Sequence, residues 1–191
     1  GAGIGGAAAA LGVSPLTQFV AVAGALALTA AGVRPALLER RVDASAGPVF
    51  GIPSGALVLV AIVGFGGMLA EGAAADWSGV YLDDTVGTGK GAATIAFIAF
   101  SLTMTAGRLA GDALTARFGV VGPTRVSAAV GAAGLAVALL APNVATATLG
   151  FACLGIGVAT VVPSVFRAGA ARAPTPGAGI AAVSTVAYAG F

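Results

Sequence analysis

Residues 126 to 166 contain no charged side chain, and Ala141, Pro142 and Asn143 stand near the middle of the run. One helix of that length would rise about 60 Å, twice the roughly 30 Å hydrocarbon thickness of a bilayer. Two helices joined by a tight turn at 141–143 fit instead. Composition shows that this run is typical of the chain and not an exception. Hydrophobic residues make up 58% and charged residues 8% of the 191 positions, with a mean hydropathy of +1.03. Soluble domains carry about 25% charged residues, so a water-soluble fold of this size lacks the polar surface it needs. The fold class read from the sequence is an all-α, polytopic membrane helix bundle. Its 31 glycines suit helices that pack closely in lipid, where small residues let backbones approach. A disordered or fibrous chain would need a repeat that is absent and far less apolar content.

The charge spacing predicts further spans at 18–33, at 52 to about 75 opened by Pro53 in a first-turn position, at 91–107, and from 176 onward. Residues 1–10 read as the end of an earlier helix, turned at LGVSPLTQ (11–18), where Ser14 and Pro15 break the pattern. The chain starts at Gly1 and stops at Phe191 inside an apolar run, so it reads as a piece of a longer protein. Lysine and arginine accumulate on the cytoplasmic side of membranes. Arg34, Arg40 and Arg41 fall in one connection, Arg108, Arg117 and Arg125 in a second, and Arg167 and Arg172 in a third. These are alternate connections. Only Lys90 lies on the other side, with Asp83 and Asp84, so eight of the nine basic residues agree with one orientation in the cell's inner (plasma) membrane. The basic residues are flanks of apolar helices and form no continuous patch, which excludes a nucleic-acid partner.

Chemistry-bearing residues are few. There is no histidine, the commonest general base and metal ligand, and the single Cys153 lies in an uncharged run as a small core residue. No enzyme activity, metal or cofactor is expected. A lipid-modifying membrane enzyme would need a nucleophile, base or metal group that is missing. GAGIGG (1–6) matches a dinucleotide-binding glycine pattern, but no strand precedes it and Glu39 follows at the wrong distance; the glycines read as helix packing.

Between uncharged stretches stands GRLAGDALTARFG (107–119). It is expected to be a cytoplasmic loop between a helix ending near Gly107 and one starting near Val121. Arg108 complements the helix dipole there, Asp112 is placed four residues on to pair with it, and Gly111 and Gly119 permit a reversal. This pattern resembles the cytoplasmic loop signature of the major facilitator superfamily, with Ala113 where the family has a basic residue. LAEGAAADWSGVYL (69–82) is similar to the seventh helix of bacterial sugar permeases related to fucose permeases. The resemblance implies a chain running from the end of helix five into helix eleven. Residues 1–33 would be the end of helix five and helix six, 34–51 the central cytoplasmic loop, and 52–191 the C-terminal half. It further implies a monomeric secondary transporter of a small, sugar-like solute, working by alternating access between two six-helix halves. Without a phosphate-binding loop, the driving force would be a proton or other ion gradient. An efflux antiporter of the same fold, or a non-transporting sensor, are the alternatives.

Two sets of candidate residues follow. Gly107, Arg108, Gly111, Asp112, Arg117 and Gly119 form a candidate gating latch at the cytoplasmic face. Glu71 interrupts an apolar run, and an intramembrane carboxyl is costly enough to mark function. Gly64, Gly67, Ala75 and Ser78 share its helical face. Counted from Pro53, Glu71 lies about 27 Å along the axis, near the outer boundary of the core, which leaves it either a substrate or proton site or an outer-end packing or gating residue. Asp76, Trp77 and Tyr81 lie further out, suited to a sugar ring or to the membrane interface.

Overall fold

Ser14 starts the first helix: its hydroxyl accepts the Thr17 N–H at 3.2 Å, and Pro15 occupies the first helical position, where no N–H is needed. The computed structural model describes residues 8, 11–37, 51–53, 55–89 and 92–191, the last four residues of the first helix by backbone alone. The expectations for GAGIGG, Glu39, Arg40, Arg41 and Lys90, and for most of the 34–51 loop, lie outside the described residues. Two units are present, residues 1–46 and residues 47–191. The first unit contains α1 (Pro15–Leu37), which exposes Phe19, Leu26 and Leu28. It is apolar all round, as a lipid-bathed helix is. Its backbone passes Arg34 and stays helical to Leu37, so the connection expected from 34 starts later.

The second unit holds α2 (Ala56–Val80), continued by a wide π turn (Tyr81–Thr85), α3 (Ile95–Phe118), α4 (Val121–Leu140), α5 (Val144–Ala159), α6 (Val161–Arg172) and α7 (Pro176–Tyr188). Among the described residues, four stretches can cross a bilayer by length and composition: Pro15–Val33, Ala56–Thr85, Val121–Leu140 and Val144–Arg172. The described residues are helical apart from short connections, as a polytopic bundle requires. Large apolar side chains such as Leu59, Ile62, Leu102 and Leu149 point outward, where lipid replaces water as solvent.

Glycines set the packing. A Cβ on Gly157 would lie 2.9 Å from the Gly131 Cα, and Gly150 faces Ala138, so α4 and α5 run antiparallel with their backbones almost touching. The 141–143 turn between them is closed by Asn143, whose side chain accepts the Thr146 N–H at 3.0 Å while the Thr146 hydroxyl accepts the Asn143 N–H at 3.3 Å. Cys153 fits against Gly134 in this seam. Gly155 admits Phe100 and Thr103 of α3, and Gly107 meets Ala159, so α3 lies beside α5 in the same direction. Gly64 faces Val165 and Ala187, and Gly67 faces Val161, which places α2 against α6 and α7; Gly169 and Gly179 join α6 to α7. Phe100, Leu82, Phe151, Leu154 and Val158 form one buried cluster, and Val161, Val165 and Val183 form another.

The alternation collects the ends of α3 and α6 and the starts of α4 and α7 at one end of the unit. Arg117, Arg125 and Arg172 stand there, while Asp83, Asp84 and Asn143 stand at the other. Two further boundaries differ from the sequence expectation. The polar stretch after Gly107 is helical to Phe118, leaving only Gly119 and Val120 as a turn; Gly119 has φ of 73° and donates to the Thr115 carbonyl at 2.9 Å. Residues 108–118 contain good helix formers and no proline, so α3 has no reason to stop at its first charge. The second helix of the 126–166 run extends to Arg172, broken at Thr160. Pro163 has no N–H to give the Ala159 carbonyl four residues back, which explains the break.

Candidate functional site

Glu71 lies about 22 Å along a helix of roughly 45 Å, because α2 starts at Ala56 and the π turn carries it on to Thr85. It therefore stands midway along that helix. Arg108 lies about 20 Å along α3, whose length is about 36 Å. The two meet: Arg108 Nη2 donates to Glu71 Oε2 at 3.2 Å, with side-chain exposures of 42% and 21%. Within an apolar bundle, carboxylate and guanidinium are each expensive alone and compensate each other.

Three features hold the pair in place. Gly107, next to Arg108, lets α3 press on Ala159, and Gly111 one turn on meets the Thr160 methyl. Thr160 is buried at the α5–α6 break, its hydroxyl 3.3 Å from that of Ser127 on α4. Gly72, next to Glu71, approaches the Phe191 backbone. Between these helices opens a cavity of about 590 Å³ lined by Met68 and Glu71 of α2, Arg108 of α3, Val162, Pro163 and Phe166 of α6, and Tyr188 and Phe191 at the end of α7. It is a concave apolar site with one carboxylate, one guanidinium and one phenol converging on it, the build of a small-molecule site. Among the described residues no group of histidine, cysteine or carboxylate side chains could hold a metal ion.

The remaining candidates separate. Asp112 accepts from Arg167 Nη1 at 3.2 Å and is 86% exposed, so its partner is on α6 and not Arg108, four residues back. Arg117 stacks over the ring of Phe118 at 5.3 Å. Gly107 and Gly111 pack against the α5–α6 line, and Gly119 turns the chain. Gly64, Gly67 and Ser78 are buried while Ala75 is exposed, so the face predicted for Glu71 is largely a packing face. Asp76 and Trp77 are exposed on α2 outward of the cavity. Tyr81 donates to the Ala138 carbonyl at 2.6 Å and tilts against Phe151, joining α2 to the outer end of α4. None of these three lines the cavity. Sequence reasoning missed Phe166, Tyr188 and Arg167 as site neighbours. Pro163 was the available signal, since a proline inside an apolar span marks the break around which the cavity forms.

No protein-family model and no solved structure matches the chain. Curated relatives do. An uncharacterized MFS-type transporter of Yersinia pestis is 30% identical over 192 aligned positions, 99% of this chain and 50% of that protein. The uncharacterized transporter y4wD of Sinorhizobium fredii (strain NBRC 101917 / NGR234) is 36% identical over 138 residues, 72% of this chain and 37% of that protein. Membrane protein MosC of Rhizobium meliloti is 33% identical over 136 residues, 71% of this chain and 33% of that protein. The chain thus spans a third to a half of the length of the curated relatives it matches, and it is similar to membrane transporters along nearly all of its own length.

Proposed function

We propose that this chain belongs to the major facilitator superfamily and forms part of a secondary active transporter that carries a small, sugar-like solute by alternating access, with protons as the coupling ion. In this reading α1 is the sixth membrane helix of the whole protein, α2 the seventh, α3 the eighth, α4 the ninth, α5 and α6 together the tenth, and α7 the start of the eleventh. The arginine-rich end faces the cytoplasm of a cell with the protein in its inner membrane. Single cysteines at positions 117 and 143 in a Cys153→Ser background would then label from opposite sides.

The observation that carries the proposal is the Glu71–Arg108 pair, midway along α2 and α3, opening into the cavity between α2, α3, α6 and α7. A solute site halfway through the membrane, beside a discontinuous helix, is what alternating access needs. A proton-binding carboxylate at the same place links the solute to the ion gradient. The test is uptake of a panel of sugars and related small solutes by the full-length protein in sealed vesicles, with and without an inward proton gradient. Gradient-dependent accumulation that Arg108→Gln reduces at least tenfold is the expected result. Accumulation untouched by Arg108→Gln would contradict the proposed site.

A further inference from the structure

A guanidinium has five N–H donors. Among the described residues Arg108 uses one of them on a side chain, in a single contact to Glu71 and not the two-pronged fork that an arginine makes with a well-seated carboxylate. The rest of its head is open to the cavity. The walls there are Met68, Val162, Pro163, Phe166 and Phe191, which carry no polar side-chain group; Tyr188 of α7 adds a single hydroxyl. A smaller adjoining cleft of Arg108 is shared with Asp112 and Arg167. Asp112 on α3 and Arg167 on α6 pair with each other, and Asp76 on α2 is exposed. The cavity therefore holds one permanent cation with spare donors and one titratable anion.

We propose, resting on the transport reading above, that the solute is a monoanion, a sugar acid or another small monocarboxylate, which takes Glu71's place on Arg108 and brings one proton with it. The reason is charge balance in a medium that penalises net charge. The empty site, with Arg108 positive and Glu71 negative, is neutral. A monoanion entering beside an ionised Glu71 leaves one uncompensated negative charge at mid-depth. If a proton binds the Glu71 carboxylate, the solute carboxylate takes the guanidinium in a bidentate contact and the loaded site is again neutral. On release the proton leaves Glu71, which returns to Arg108. A neutral sugar has no means of displacing Glu71 and would gain no coupling. Phe166 and Tyr188 supply apolar faces for the carbon skeleton of the solute, and about 590 Å³ lies within the usual range for a site that encloses a small molecule.

The experiment uses the full-length protein in proteoliposomes and compares hexuronates and small monocarboxylates with their neutral isosteres. One proton per monoanion makes transport electroneutral. Accumulation should rise about tenfold per unit of pH gradient, while imposing a membrane potential of either sign changes the initial rate less than twofold. Arg108→Gln and Arg108→Lys should each lose anion exchange at least tenfold, with unchanged elution as a folded species. Neutral hexose accumulated in preference to its acid, or uptake driven by membrane potential alone, would overturn the anion assignment and leave the transport reading standing. No accumulation of any acid or neutral solute under either gradient would overturn both.

Discussion

The α4–α5 seam and the α2–α3 junction use opposite means to hold two helices together. At the seam, Gly131, Gly134, Gly150 and Gly157 bring backbone onto backbone, with only small side chains such as Ala138 and Cys153 fitted against them. At the junction, Gly64 and Gly67 of α2 face α6 and α7 and Gly107 of α3 faces α5; Ala74, Ala96 and Phe100 pack together toward one end, and midway along both helices an ion pair crosses between them. Lipid offers no hydrophobic drive for helix association, so close packing is the cheapest adhesive. A charged pair where packing would have served is thus a sign of function. The lesson is that a membrane bundle shows its working site where the small-residue packing stops.

Overfilling the seam should produce the largest effect. Gly157→Leu drives a Cβ to 2.9 Å from the Gly131 Cα, where backbone must move, and should destabilise the bundle by about 1–3 kcal/mol, read as an earlier unfolding midpoint on titration with denaturing detergent. Gly66→Leu on α2, where an added Cβ meets nothing within 4 Å, should leave that midpoint in place. Equal losses for the two would break the contrast.

Breaking the junction comes next, and there function and stability should part. Arg108→Gln should cost at least tenfold in transport but only about 1 kcal/mol in stability, the buried-pair penalty being discounted for a guanidinium that is 42% exposed. Adding Glu71→Gln should restore the stability and not the transport. Tyr81→Phe removes the hydroxyl that ties α2 to the Ala138 carbonyl; a loss of about 0.5–1.5 kcal/mol in thermal stability is expected, with solute affinity unchanged, since Tyr81 is outside the cavity. The smallest effect belongs to Asp112→Asn. Its ion pair with Arg167 is largely solvated, and such pairs contribute about 0–1 kcal/mol. Transport should slow by a few-fold with membrane insertion unchanged, and the charge swap Asp112→Arg with Arg167→Asp should recover the rate.

The bundle was legible because its solvent is written into the chain: uncharged runs bounded spans, Pro142 and Asn143 marked a turn, and alternate arginine clusters anticipated which helix ends gather together. The site was legible in half. Glu71 stands out as a lone carboxylate in an apolar helix, but its place midway along that helix is not legible, because neither the start at Ala56 nor the π turn from Tyr81 to Thr85 leaves a clear mark in composition. Arg108 reads as a loop residue because charge spacing bounds the apolar stretch and not the helix; α3 runs on past it to Phe118, and a carboxylate on another helix compensates it. Pairings between α2 and α3, or between Asp112 and Arg167, depend on which helices become neighbours, and that is decided by where the glycines face.

The central claim is that Glu71 is the group that couples protons to the solute at the α2–α3 junction. Glu71→Gln keeps the shape and the hydrogen-bonding capacity of the protonated acid and removes its titration. In vesicles holding the full-length protein, this variant should exchange labelled for unlabelled solute at a rate within a few-fold of wild type and fail to accumulate it under a proton gradient. Accumulation equal to wild type would show that the coupling proton binds elsewhere.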